Sequence, residues 1–217
     1  MTMWILLRAA GIASYVAFFL SVSWGLVATT GVVTRRISKP SSNHFHAFVS
    51  TAGVVFLAIH MALLVLDTFM KFSIRDVLVP MRSTYRPVAI TFGVIAMYLA
   101  VVILVTSWLR KRMSTRLWRA IHLAAVPAFS MALLHGVFAG TDTGRPWMFA
   151  MYAFTGIVVL FLVLVRGLTA GYRPPRPAAP ERPTRGAPTT PAPDTDPGRP
   201  TRRPLRPDAK WEPASAA

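Results

Sequence analysis

PVAITFGVIAMYLAVVILVTSWLRKRMSTRLWRAIHLAAVPAFSMALLHGVFA, residues 87–139, is two long apolar runs separated by a knot of cations. Each run, roughly 87–109 and 117–139, is long enough to cross ~30 Å of hydrocarbon as a helix rising ~1.5 Å per residue. Three further runs of the same kind flank them, at roughly 4–33, 46–70 and 147–168. The pattern therefore predicts an all-α integral membrane bundle of about five transmembrane helices. A cleaved signal peptide is the rival reading of the first run. Such a peptide wants cations ahead of a short apolar core, whereas the cation here, Arg8, sits inside a 30-residue run.

Composition agrees. Of 217 residues, 53% are hydrophobic and 15% charged, against roughly a quarter charged in an average soluble domain. The 24 Lys and Arg outweigh 8 Asp and Glu, for a net +16. Nucleic acid is not the partner this charge implies, because the cations fall between apolar runs rather than on one polar face. With no cysteine in the chain, disulfides, thiolate-bound zinc, iron–sulfur clusters and covalently attached c-type haem are excluded.

The cations also orient the chain. Arg35, Arg36 and Lys39 lie in one short loop, and Arg110, Lys111, Arg112, Arg116 and Arg119 in another. Ten more Lys and Arg follow from Arg166 onward. With five spans these groups share a side, which the positive-inside rule assigns to the cytoplasm of a multi-pass cell-membrane protein. Against the rule stand Lys71, Arg75, Arg82 and Arg86 in the loop facing outward. Domain organisation follows as 1–172 for the membrane unit and 173–217 for a tail with 13 prolines. That tail buries too little apolar surface to offset ordering entropy, so it is expected to be disordered. Its Arg residues suit anionic lipid headgroups.

Five histidines, His44, His46, His60, His122 and His135, all fall in or at the mouths of the second and fourth runs. Ionisable groups within a bilayer are costly and usually face the bundle interior. His46 and His60 are 14 residues apart, and His122 and His135 are 13 apart, which is roughly 20 Å along a helix. Neither pair can hold one metal ion. In alternating spans, however, the two helices run in the same direction, so His46 matches His122 in depth and His60 matches His135. Two facing imidazole pairs suit two stacked b-type haems, each iron held from both sides. Helical phase places His60 within ~40° of His46 but ~160° from His44, favouring His46 as the ligand. His135 falls roughly 140° from His122 on an ideal helix, and a kink at the intervening Pro127 is expected to correct the phase. A zinc or copper transporter is the alternative metal reading, but its sites recruit carboxylates or sulfur and the spans contain no Glu. A different class of alternative is a haem-free structural or regulatory membrane protein whose basic tail recruits partners or lipid.

The stretch from Tyr85 to Gly144 resembles the ferric reductase-like transmembrane domain, a superfamily of ferric reductases, NADPH oxidases and the haem subunit of periplasmic methionine sulfoxide reductase systems. The features are Trp118-Arg119 ahead of His122, then His135-Gly136, then Ala-Gly-Thr-Asp-Thr at 139–143. Residues 6–26 are similar to the first helix of actinobacterial members. The resemblance implies that His46 and His122 ligate a cytoplasmic-side haem, and His60 and His135 an outer one. By the same resemblance Arg36, Arg119, Arg8 and Arg86 pair with haem propionates, the alternative for each being interfacial anchoring and topology. Trp118 and Trp147 read as interfacial belt residues rather than electron relays. Electrons would pass from a cytoplasmic flavin reductase or a membrane quinol to an extracytoplasmic acceptor. One departure stands out: no strand–turn–helix Gly-rich fingerprint for a flavin or nicotinamide follows the membrane region.

The Lys and Arg asymmetry predicts that a reporter enzyme active only outside the cytoplasm will be silent when fused after Ala217. Strong reporter activity would invert the chain or change the number of spans.

Overall fold

A computed structural model describes residues 2–29, 38–68 and 71–169, and the regular elements among them are all helical. Helix α1 spans Thr2–Thr29, α2 Lys39–Leu66, α3 Ile74–Leu78, α4 Pro87–Trp108, α5 Thr115–His122, α6 Ala125–Ala139 and α7 Pro146–Thr169. A 3-10 turn at Leu109–Arg112 continues α4. Five stretches are long and apolar enough to cross a membrane: α1, α2, α4 with its turn, α5 with α6, and α7. The all-α, five-span expectation holds. Arg36 and the tail from Arg173 lie outside the described residues.

Two boundaries differ from the sequence reading. α2 starts at Lys39 rather than 46, because Ser38 caps it by accepting a bond from the Ser41 amide and Pro40 suits the first turn. The segment after it is not wholly irregular: Ser73 and Asp76 form a reciprocal capping box that starts α3. The bonds donated by the Ser73 hydroxyl and amide hold the Asp76 carboxyl below the usual carboxylate range.

The fourth span is broken at Leu123–Ala124. Pro127 explains the position. It has no N–H to offer the carbonyl four residues back, and its ring clashes with that same carbonyl, Leu123. The backbone compensates with tighter bonds, from the Ala124 amide to the Ile121 carbonyl (2.9 Å) and from the Val126 amide to the Leu123 carbonyl (3.2 Å).

Contacts between helices fix their directions. Along α1, Leu7, Ser14, Ser21 and Trp24 meet His60, Gly53, Ser50 and Ser42 in turn, so α2 runs antiparallel to α1. Tyr15 stacks on Phe129 of α6, with ring centroids 5.4 Å apart, while Arg8 pairs with Asp142 just beyond that helix. α6 is thus also antiparallel to α1, and α2 and α6 point the same way. Arg86 and Ala89 meet Phe138 and His135, which makes α4 antiparallel to α6.

Lipid offers no hydrophobic drive for helices to associate, so packing and interhelical hydrogen bonds carry the assembly. Ser14 Oγ donates to the Gly53 carbonyl at 2.9 Å, and Trp24 Nε1 donates to Ser42 Oγ at 3.0 Å. Tyr15 and Thr155 share a hydroxyl bond of 2.5 Å that ties α1 to α7. Around it, Tyr15, Phe129, Met148, Tyr152 and Val159 form the buried core. The outward face of α7 leaves Phe149, Ile157, Phe161 and Leu164 exposed, as a helix against lipid does. Among the described residues α1 packs on α2, and α4 on α6, whereas α2 and α6 make no close packed interface. The gap between them is the candidate site.

Replacing Pro127 with Ala restores an amide that can bond to the Leu123 carbonyl. Hydrogen exchange in purified protein should then slow over residues 123–128 by roughly five-fold, the worth of about 1 kcal/mol. Unchanged exchange there would mean that the break has another cause.

Candidate functional site

A cavity of about 910 Å³ runs between α2 and the α5–α6 pair, and His46, His60, His122 and His135 all line it. Its size is near the top of the roughly 300–1,000 Å³ range of ligand pockets. The wall is mostly apolar, with Ile12, Val22, Leu57, Leu64, Val94 and Phe129 among its members. His44 is exposed at the start of α2 and is not part of the lining.

The four imidazoles fall at two levels. His46 and His122 face each other with ring centroids 6.0 Å apart. His60 and His135 lie about fourteen residues further along their helices, close enough to interact electrostatically. The break at Leu123–Ala124 turns α5 relative to α6, so that His122 and His135 reach the same cavity despite a spacing that an ideal helix would send to different faces.

Hydrogen bonds set which ring nitrogen is available. His60 Nδ1 lies 3.0 Å from the Leu7 carbonyl, and His135 Nδ1 lies 2.9 Å from the Ala89 carbonyl. A carbonyl oxygen only accepts, so Nδ1 carries the proton in both rings and Nε2 keeps its lone pair. His46 follows through hydroxyls. Ser50 donates to the His46 carbonyl at 2.7 Å, so Ser21, 2.7 Å from Ser50, donates to that hydroxyl. The Ser21 oxygen is left to accept from His46 Nδ1, a long contact of 3.5 Å. His122 is different. Its Nδ1 is buried without a hydrogen-bond partner among the described residues, and the ring is instead stacked on Trp118, with centroids 4.9 Å apart.

This chemistry suits a metal held by one imidazole from each side. Among the described residues no three His, Asp or Glu side chains converge on one point. A site built on these histidines therefore needs equatorial ligands that come with the group itself, and a porphyrin brings four. The residues present fit that group: paired imidazoles, three of them with Nδ1 engaged so that Nε2 keeps its lone pair, an elongated apolar cleft, and cations at both mouths.

At one mouth, Arg8 lines the cavity and pairs with the buried Asp142. Asp142 also receives Arg145 Nε at 3.3 Å. At the other, the lining includes Arg110 and Arg166, and the Arg110 guanidinium lies 4.4 Å from the centre of the Trp118 ring. Arg86 and Arg119, anticipated beside the cofactor, are exposed and do not line this cavity. Arg86 instead donates to the Phe138 carbonyl at 2.6 Å. Trp118, anticipated in the interfacial belt, lines the cavity. Sequence reading missed Arg110, Arg166 and Asp142, since loop cations look alike until the helices are placed. A detectable signal was the spacing of Gly11 and Gly25, which equals that of His46 and His60.

The family model described as ferric reductase like transmembrane component matches residues 10–133. The match takes in His46, His60 and His122 and ends just before His135. No curated protein and no solved structure matches the chain.

Arg8→Gln would leave the buried Asp142 carboxylate with only the peripheral Arg145. Thermal unfolding in detergent should show a loss of about 1–3 kcal/mol. The double variant Arg8→Gln/Asp142→Asn should recover most of it, as expected of coupled partners. Additive losses would show that the pair carries no shared stabilisation.

Proposed function

The chain belongs to the ferric reductase-like transmembrane family through residues 10–133, and on that premise we propose that it is a multi-pass b-type cytochrome holding two haems. Family membership makes it a transmembrane redox component; the cofactor count, the ligands and the direction of transfer are our reading. The observation that carries it is the set of four imidazoles at two levels of one cavity, three with Nδ1 engaged by neighbouring backbone or hydroxyl groups.

In this reading His46 and His122 hold the cytoplasmic-side haem, and His60 and His135 the outer one. Haem b, when bound, supplies an iron centre that takes up and releases one electron at a time. The chain's own contribution is orientation and electrostatics. The carbonyls of Leu7 and Ala89 hold the His60 and His135 rings in one tautomer and raise their basicity as ligands. Ser21 does the same for His46 through a weaker bond. Arg8 at the outer mouth, and Arg110 and Arg166 at the inner one, offer cations to propionate carboxylates. Arg36, outside the described residues, is a further propionate candidate, whereas Arg86 and Arg119 are exposed outside the cavity lining. The apolar wall between the mouths keeps water from the imidazoles and lowers the local dielectric.

The electron donor is a separate cytoplasmic flavin reductase or a membrane quinol. The acceptor faces outward, as a ferric chelate, oxygen or a redox partner protein. A nicotinamide gives up two electrons as hydride while a haem iron accepts one, so a flavin must split the pair. The sequence carries no fingerprint for binding either cofactor. The Lys and Arg asymmetry of the sequence favours a cytoplasmic side for the C-terminal tail, whose Arg residues suit anionic lipid.

Membranes containing the chain should show a b-type alpha band after dithionite, with two non-covalent haems per chain. His60→Ala or His135→Ala should remove one haem and leave the other, and His44→Ala should retain both. Anaerobic NADPH alone should leave the spectrum oxidised until a flavin reductase or a quinol is added. Colourless membranes, with the chain present at normal levels, would leave the haem-free regulatory reading in its place.

A further inference from the structure

Three of the four cavity imidazoles lie against a glycine of a neighbouring helix, and the closeness of approach differs among them. A Cβ built on Gly93 of α4 would come within 2.7 Å of His135 Nδ1. One built on Gly11 of α1 would come within 3.0 Å of His60 Nδ1, and one on Gly25 within only 3.5 Å of His46 Cε1. The first is closer than a real Cβ can stand, the second is tight, and the third is ordinary van der Waals contact. The same two helices that bring Gly93 and Gly11 also bring the carbonyls accepting from those rings, Ala89 and Leu7. Each carbonyl precedes its glycine by four residues, one helical turn. Helix backbone thus meets the imidazole at two adjacent points, one accepting its N–H and the other giving it room.

We propose that Gly93 and Gly11 are positioning residues for the outer haem, acting through His135 and His60. By admitting each ring flat against the backbone, they fix its plane and keep its Nδ1–H bond short, and so set the electron donation of Nε2 to the iron. The inner pair has no counterpart of equal strength. Gly25 leaves His46 slack, its hydroxyl bond is long, and His122 Nδ1 has no partner among the described residues. The proposal rests on the two-haem reading above.

A methyl group at position 93 must push the His135 ring off the Ala89 carbonyl. A weaker Nδ1–H bond makes the imidazole a poorer donor, which favours ferrous over ferric iron and raises the midpoint potential. Gly53 supplies the control. It lies in the same α1–α2 interface, and its added Cβ would also meet a ring at 3.0 Å, but that ring is Phe18.

The test is a series of full-length chains, Gly93→Ala, Gly11→Ala, Gly25→Ala and Gly53→Ala, read by haem per chain, low-temperature electron paramagnetic resonance of the ferric state, and redox titration. Gly93→Ala should shift the resonance and raise the potential of one haem, or lose that haem, with the other unchanged. Gly11→Ala should do the same to the same haem more mildly. Gly25→Ala should leave the outer haem unchanged, and Gly53→Ala should keep both haems, with spectra and potentials like the parent. If the Gly93 chain does not accumulate, the Gly11 chain carries the comparison. Two haems with unaltered spectra in both Gly93→Ala and Gly11→Ala would overturn the proposal. So would an equal disturbance from Gly53→Ala, which would reduce the effect to loosened helix packing. A parent chain without haem would instead sink the cytochrome reading itself.

Discussion

Two hydrogen bonds that cross helix boundaries, from the His60 imidazole to the Leu7 carbonyl and from the His135 imidazole to the Ala89 carbonyl, set the terms for the rest of the molecule. A helical carbonyl is already engaged in its own ladder and presents only a second lone pair. An imidazole reaches it only if the two helices approach closely and in one register. Each bond therefore specifies a helix pair, α1 with α2 and α4 with α6, as well as the tautomer of a ring. The helices lock in pairs and the cavity is what lies between the pairs.

α1 is the element on which the halves meet. It packs on α2, α6 and α7, and each contact uses a polar or aromatic group that lipid would not satisfy. Ser14 and Trp24 bond to α2, Tyr15 bonds to Thr155 of α7 and stacks on Phe129 of α6, and Arg8 pairs with Asp142 beyond α6. Individual contacts of this kind are worth about 0.6 kcal/mol in a bilayer, so no one of them holds the bundle. Spread along the helix, they fix its rotation and leave Gly11 and Gly25 facing the histidines. Rotation is what the site requires.

The two ends of the cavity are built differently. At the His60–His135 end both rings are anchored to backbone, with close glycines behind them and an ion pair at the mouth. At the His46–His122 end a hydroxyl relay serves His46, and His122 lies between Trp118 and His46 through ring contacts. Arg110 over the Trp118 ring brings a cation to that end. The two histidine pairs therefore sit in unequal surroundings.

The number of spans could be read from the residues, and so could the proposal that His46, His60, His122 and His135, which line one cavity, act in pairs, because both depend on one-dimensional quantities. Apolar length measures against bilayer thickness, and spacing measures against helical rise. Even the awkward thirteen-residue step between His122 and His135 pointed to Pro127, since a proline's missing amide acts on a carbonyl at a fixed distance in sequence. What the residues did not disclose was which cation turns toward the cavity. Arg119 and Arg110 belong to the same basic loop, yet Arg110 lines the cleft and Arg119 faces away. The difference is the 3-10 turn that ends α4 together with the direction in which α5 leaves it. The partners of Nδ1 were equally hidden, because Leu7 and Ala89 act through carbonyls that every residue possesses. A side chain's chemistry is written in the sequence, whereas the close approach of two backbones is decided only when the helices pack.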